Sequence, residues 1–138
     1  MKHLTRVKAA AAALLTLTGL LVTSPAQAAP RDALRGNWLH LTVTRGLAAA
    51  GPAQSALLLC DPPLGHPHAV RACAQLAAAH GDIARIPYAQ GVFCPMIYAP
   101  VTARAQGRWH GRPVAFRETY SSKCVMRART GEVFALDR

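Results

Sequence analysis

Residues 93–100 read Phe-Cys-Pro-Met-Ile-Tyr-Ala-Pro and combine apolar side chains with a backbone that suits a core strand poorly. Each of the two prolines lacks an N–H group, and the residue before a proline is biased toward extended geometry. Cys94 can form a disulfide that would fix the start of the segment to the body of the protein. These features favour a stiff loop that displays Met96 and Ile97. An edge strand that packs both side chains inward fits the composition equally well.

The first 28 residues have the parts of a secretory signal peptide. A basic start precedes an apolar run over residues 9–23, and the small residues Ala26 and Ala28 follow at cleavage-site spacing. The run falls short of the ~20 apolar residues that span a bilayer, so a membrane anchor is the weaker interpretation. We therefore expect residues 1–28 to be removed, leaving one secreted domain of residues 29–138 without membrane attachment.

All four cysteines lie in the expected mature domain, at Cys60, Cys73, Cys94 and Cys124. An even cysteine count in a small exported domain predicts disulfides, and four cysteines leave three pairings open. A metal site is the alternative. It is disfavoured because the spacing contains no CxxC motif and because exported thiols meet an oxidising environment.

The expected mature domain is basic. Removing Lys2, Arg6 and Lys8 with the signal leaves 13 of the 16 Lys and Arg residues against 6 Asp and Glu, a net charge of +7. These cations are spread singly and accompany no nucleic-acid-binding motif, so nucleic acid is not an expected partner. A secreted protein that binds an anionic envelope or another macromolecule stays open as an alternative function. That alternative would use five arginines: Arg104, Arg108, Arg112, Arg117 and Arg127.

The sequence contains no motif typical of an enzyme. No serine lies in a GxSxG motif, the six carboxylates are scattered, and P-loop, GxGxxG and HExxH patterns are absent. His66-Pro67-His68 could suggest a metal, but no third ligand is suitably spaced, so we interpret both histidines as loop residues before a helix. We expect no catalytic residue, no metal and no cofactor. A small exported hydrolase stays open as a further alternative function.

Apolar patterns predict the strands. Residues 39–43 alternate apolar and polar side chains, as in a half-buried strand, and residues 55–60 form a short apolar run typical of a second one. Residues 101–105 and 113–120 flank a glycine-bounded turn and predict a hairpin. Residues 133–136 predict a last short strand.

Two further segments have helical spacing. The alanine-rich residues 68–80 predict a helix that stops at Gly81. Ser121 is the expected N-cap of a second helix that carries Cys124 and ends at Gly131. The sum is an α+β domain with an antiparallel sheet of about five strands and two helices.

Along its mature part the sequence resembles the Streptomyces-type subtilisin inhibitors. The most specific match is Cys94-Pro95-Met96-Ile97-Tyr98-Ala99-Pro100, which is similar to the reactive-site loop of that family. Further similar segments follow in the same order and spacing: residues 39–43, 65–67, 72–77, 81–82, 107–114, 124–126 and 133–136.

The resemblance implies a secreted, typically homodimeric inhibitor of extracellular subtilisin-like serine proteases with an α+β fold. It places Met96 at the position that enters the protease S1 pocket and makes Met96–Ile97 the scissile bond. The remaining protease-binding positions would be Phe93, Cys94, Pro95 and Tyr98.

The resemblance also implies a disulfide pairing, Cys60 with Cys73 and Cys94 with Cys124. Two positions depart from the family pattern. Ala99 stands where the family often has an acidic residue, and the loop between Cys60 and Cys73 is slightly short. Both departures bear on specificity and loop rigidity.

Overall fold

The structure, a computed structural model, describes residues 36–47 and 51–137; the expected signal peptide lies outside them. The elements in chain order are β1 (Trp38–Arg45), β2 (Ala53–Cys60), β3 (Pro63–Leu64), α1 (Ala69–Ala78), β4 (Val101–Trp109), β5 (Arg112–Tyr120) and α2 (Lys123–Thr130). A short 3-10 helix, Ile83–Arg85, follows α1. No helix within the described ranges is long and apolar enough to cross a membrane.

The strands form one antiparallel sheet in the order β3-β2-β1-β4-β5. The central strand β1 sets the register, with Leu41 opposite Ala56 of β2 on one side and Ala105 of β4 on the other. The hairpin predicted after residue 100 is the pair β4 and β5. The expected α+β class, with a five-stranded antiparallel sheet, two helices and two disulfides, is confirmed.

One face of the sheet is buried beneath the two helices. Leu39 and Leu41 on β1 are buried while His40 between them is exposed, which confirms the predicted alternation. Leu76 of α1 and Met126 of α2 are fully buried in the same apolar cluster. Burying each side chain of this size stabilises the fold by about 1.5–3 kcal/mol.

The second helix begins one residue later than the sequence suggested. Ser122 is its N-cap, because its backbone is extended and its Oγ accepts a hydrogen bond from the Val125 N–H at 3.3 Å. The prediction of Ser121 is therefore wrong. Two adjacent serines are equally good caps by type, and the position of the chain after β5 selects between them. The expected stop at Gly131 is confirmed; a Cβ there would collide with Gln75, and its φ of +59° also favours glycine.

The last predicted strand, residues 133–136, is also wrong. These residues make turn-like hydrogen bonds, such as the one from the Ala135 N–H to the Glu132 carbonyl at 3.1 Å, and pair with no strand. Val133, Phe134 and Ala135 are all buried, so the segment fills the core without the alternation of a strand. A short apolar run does not by itself distinguish these two cases. The fifth strand is instead the two-residue β3.

His66 links this terminal segment to the start of α1. Its Nε2 donates to the Val133 carbonyl at 3.1 Å, and its Nδ1 accepts from the His68 N–H at 2.9 Å. Both ring nitrogens are therefore occupied in the neutral imidazole, and the ring is buried. Burial lowers the pKa of His66 below its ordinary value. The His66 side chain thus stabilises the fold, and His68 takes part through its backbone N–H.

We expect the stability of the protein to fall as the pH drops from about 7 to about 5, because the unfolded chain then binds a proton at His66 that the folded chain resists. Above the ordinary histidine pKa the full contribution is present. Replacement of His66 by Gln removes this titration and should flatten the dependence, although it lowers stability at every pH. Urea denaturation at both pH values measures the effect. An equally steep loss in His66→Gln would contradict this account.

Candidate functional site

Residues 93–98, called here the displayed loop, carry large apolar side chains that folding leaves in solvent. Met96 and Phe93 are 105% and 94% exposed, and Tyr98 and Ile97 are 71% and 63% exposed. None of these residues belongs to a strand. The edge-strand alternative is therefore wrong. A contiguous apolar surface of this kind marks an interaction site.

The displayed loop is fixed to the body of the protein on both sides. A disulfide joins Cys94 to Cys124 in the first turn of α2. On the other side the Ala99 N–H donates to the Ser121 carbonyl at 2.9 Å. Only residues 95–98 lie between these two anchors, so the chain that carries Met96 and Ile97 has little freedom.

Most of the support comes from one short segment, residues 121–128, called here the support segment. It supplies the two anchors above, and its Ala128 carbonyl accepts from the Ala89 N–H at 2.8 Å, upstream of the loop. A separate bond, from the Gly46 N–H to the Pro100 carbonyl at 2.8 Å, ties the end of β1 to the start of β4. The loop is therefore held before, within and after its exposed part.

The backbone of the loop bends at Met96. The Ile97 N–H donates to the Pro95 carbonyl at 2.8 Å, which closes a three-residue turn with Met96 at its centre. Met96 has no positive φ, so this is the common inverse form of that turn. The sequence predicted an extended loop throughout, whereas the bend places the Met96 side chain at the tip, away from the body.

The unusual Ala99 does not remove an anchor. Its side chain is exposed, and the hydrogen bond to Ser121 uses its backbone N–H, which every residue except proline provides. An acidic side chain at this position is therefore not needed to hold the primed side of the loop.

Ion pairs brace the outer side of α2. The Lys123 ammonium lies 3.1 Å from Asp137 Oδ1 and lowers the pKa of that carboxyl, and Arg127 lies 3.8 Å from the other oxygen. These groups are partly exposed, so each pair stabilises the helix by at most about 1 kcal/mol. These ion pairs hold Asp137 against α2, the helix that carries Cys124.

The structure brings all six predicted loop residues together, and it has the disulfide pairing that the resemblance implies. The Cys60–Cys73 bond joins the end of β2 to α1. Sequence reasoning missed the anchors at Gly46, Ser121 and Ala128, because they act through backbone groups that every sequence has. Within the described residues no group of three or more metal-ligating side chains occurs.

These features define an apolar loop that is displayed to solvent and anchored on both sides, on a domain built around an antiparallel sheet. The chain belongs to the subtilisin inhibitor-like family, whose sequence profile matches residues 35–122. This family consists of protease inhibitors, which are not enzymes.

Several Streptomyces proteins are similar over most of their length. A candidate serine protease inhibitor of Streptomyces avermitilis is 55% identical over 124 residues, covering 90% of this chain and 84% of the relative. The subtilisin inhibitor of Streptomyces albogriseolus is 38% identical over 123 residues, covering 86% and 85%. A trypsin inhibitor of Streptomyces longisporus is 36% identical over 123 residues, with the same coverage of 86% and 85%.

A solved structure is similar as well. It is the crystal structure of Streptomyces caespitosus sermetstatin in complex with Bacillus licheniformis subtilisin, at 32% identity and a TM-score of 0.60, covering 71% of this chain and 96% of that one. The comparisons give no support to the alternative of a basic envelope-binding protein.

We expect the Cys94–Cys124 disulfide to rigidify the loop specifically. Its loss in a Cys94→Ser/Cys124→Ser variant should lower the free energy of unfolding by about 3–4 kcal/mol and speed amide exchange at Ala99 relative to Leu41 in the core. The control Cys60→Ser/Cys73→Ser should cost about 3 kcal/mol and leave that ratio unchanged. Hydrogen exchange followed by NMR measures both. Equal ratios in the two variants would show that the bridge does not hold the loop.

Proposed function

We propose that this protein inhibits subtilisin-type serine proteases by presenting the displayed loop as a substrate, with Met96–Ile97 as the attacked bond. The observation that carries the proposal is the full exposure of Met96 at the tip of a loop anchored on both sides. The subtilisin inhibitor among its relatives and the sermetstatin–subtilisin complex support the class of protease.

Preorganisation explains how a substrate-like loop can inhibit. A flexible peptide loses conformational entropy when it enters a protease, at about 0.5–1.5 kcal/mol for each immobilised side chain in addition to the backbone. The anchors at Cys94 and Ala99 have already ordered the backbone around Met96. Because less conformational entropy is lost on binding, more of the favourable free energy of contact with the protease appears as affinity.

The same anchors oppose hydrolysis. The protease serine attacks the Met96 carbonyl carbon, the C–N bond to Ile97 breaks, and the Ile97 nitrogen takes a proton from the protease histidine. The Cys94–Cys124 disulfide holds the chain that ends in the Met96 acyl group. The hydrogen bond from the Ala99 N–H to the Ser121 carbonyl holds the chain that begins with the new amine of Ile97. Because the amine stays beside the acyl-enzyme, religation competes with the water that would complete hydrolysis.

Met96 sets the specificity. Its unbranched thioether is apolar and adaptable, which suits a roomy apolar S1 pocket. A trypsin-like pocket carries a buried aspartate and selects Lys or Arg. Phe93, almost fully exposed three residues earlier, offers a second apolar anchor on the acyl side. Pro95 and Tyr98 complete the contact surface beside the scissile bond.

Variants at residue 96 test the proposal. Met96→Glu should weaken inhibition of subtilisin by a hundredfold or more, on the order of 3 kcal/mol, because a carboxylate would be desolvated in an apolar pocket. Met96→Leu is the matched control and should keep inhibition within about tenfold. Met96→Lys should gain inhibition of trypsin. Residue 96 is solvent-exposed, so the three variants should fold alike, and circular dichroism checks this.

The titration itself separates the possible functions. The parent protein should reach a stoichiometric endpoint against subtilisin, with activity lost linearly until one inhibiting site is present for each protease. If Met96→Glu inhibits subtilisin as strongly as the parent does, residue 96 does not enter the S1 pocket and the assignment of the loop is wrong. Turnover of a substrate by the protein itself would instead support a hydrolase.

Secretion and self-association belong to the same proposal. The basic and apolar pattern of residues 1–28 supports export with cleavage after Ala28, and an intact mass that corresponds to a chain beginning at Ala29 would verify it.

The outer face of the sheet carries an apolar patch that supports a homodimer: Trp38, Leu57, Leu59 and Leu64. Sedimentation of the parent and of Leu57→Lys should give a dimer and a monomer, respectively. A monomeric parent would contradict the homodimer.

A further inference from the structure

The chain that leaves the displayed loop runs past a hollow of about 470 Å³, called here the exit hollow. The hollow begins at Ala99, the residue directly after Tyr98. Its lining combines the small apolar residues at the end of the loop with two cationic side chains: Arg45, Gly46, Ala99, Pro100, Val101 and Lys123. A protein bound to Ile97 and Tyr98 would therefore lie next to this hollow.

The backbone holds Arg45 at a fixed place beside the loop. Arg45 is the register partner of Val101, and its N–H donates to the Pro52 carbonyl at 3.1 Å. The next residue, Gly46, makes the hydrogen bond to the Pro100 carbonyl described above. The Arg45 side chain is exposed. Its position relative to the loop is thus set by the sheet, while its guanidinium group is free to meet a partner.

The exit hollow carries one positive charge that no acid compensates. The Lys123 ammonium lies 3.1 Å from Asp137 Oδ1, so its charge is paired. Arg45 has no carboxylate within ion-pair distance among residues 36–47 and 51–137. No acidic residue lines the hollow, and residues 93–98 are all uncharged. The surface next to the Ile97 side of the scissile bond is therefore positive because of Arg45.

The exit hollow lies outside the surface assigned to the homodimer. The alternation of β1 places Arg45 on the same face as the buried Leu41 and Val43, which is the face that the helices cover. The apolar patch that supports the homodimer is on the opposite face, and none of its four residues lines the hollow. Self-association through that patch would leave Arg45 accessible.

We propose that the exit hollow is a second contact surface for the protease, and that Arg45 selects subtilisin-type proteases with an acidic side chain on the adjacent rim. The proposal rests on the proposed function, since only a protease that holds Met96–Ile97 brings its rim to Ala99. A guanidinium group can donate two parallel hydrogen bonds to one carboxylate. A basic rim would instead be repelled by Arg45, and such repulsion gives specificity as effectively as attraction does.

A charge exchange on the protease tests the proposal. Two derivatives of one subtilisin carry Asp or Lys at the exposed rim position nearest the inhibitor's third residue after the scissile bond, as located in the sermetstatin–subtilisin complex. At low ionic strength the parent should associate with the Asp derivative at least about threefold faster than with the Lys derivative. The difference should shrink in about 0.5 M salt, because salt screens exposed charges. Arg45→Glu should reverse the order of the two derivatives.

The matched control is Arg85→Glu, which changes the net charge by the same amount at an exposed position that does not line the hollow. It should keep the order that the parent shows. Stoichiometric inhibition with the same order in Arg45→Glu as in the parent, or an equal change in both variants, would overturn the contact at Arg45 and leave the inhibitor assignment standing. A parent that reaches no stoichiometric endpoint with either derivative would overturn the inhibitor assignment and this contact together.

Discussion

The position and exposure of the Met96–Ile97 bond depend on the support segment, residues 121–128, which holds the chain on either side of that bond. One hydrogen bond precedes the displayed loop, at Ala89; one disulfide opens it, and one hydrogen bond closes it. Because two of these contacts come from α2 and the third from Ser121 just before it, the position of the loop is coupled to that of the helix. The constraint keeps the large apolar side chains of the displayed loop in solvent.

The support segment is itself fixed by the core. Met126 is buried between α2 and the sheet, and Gly131 ends the helix where Gln75 of α1 accepts a hydrogen bond from the Glu132 N–H at 2.8 Å. The chain then enters the core, where His66 holds the Val133 carbonyl. The sheet, both helices and the terminal segment are thus packed together, and the position of the loop depends on residues outside it.

Much of this was predictable from the sequence, and the failures have physical reasons. The alternation of residues 39–43 requires a half-buried strand, and prolines with a cysteine indicate a stiff loop at residues 93–100. The choice of Ser122 over Ser121 as the cap, and the turn-like burial of residues 133–136, depend on where the whole chain lies. The bend at Met96 and the backbone anchors leave no trace in residue type, since every peptide group can supply them.

The central claim is that a doubly anchored loop offers Met96–Ile97 as its one susceptible bond. The most direct measurement is N-terminal sequencing and intact mass of the protein after long incubation with subtilisin, with and without reduction. We predict one new N-terminus at Ile97, in a cleaved chain that stays in one piece through Cys94–Cys124 until the disulfide is reduced. A first cut at any other bond, or degradation of the whole domain without a persistent intermediate, would contradict the account.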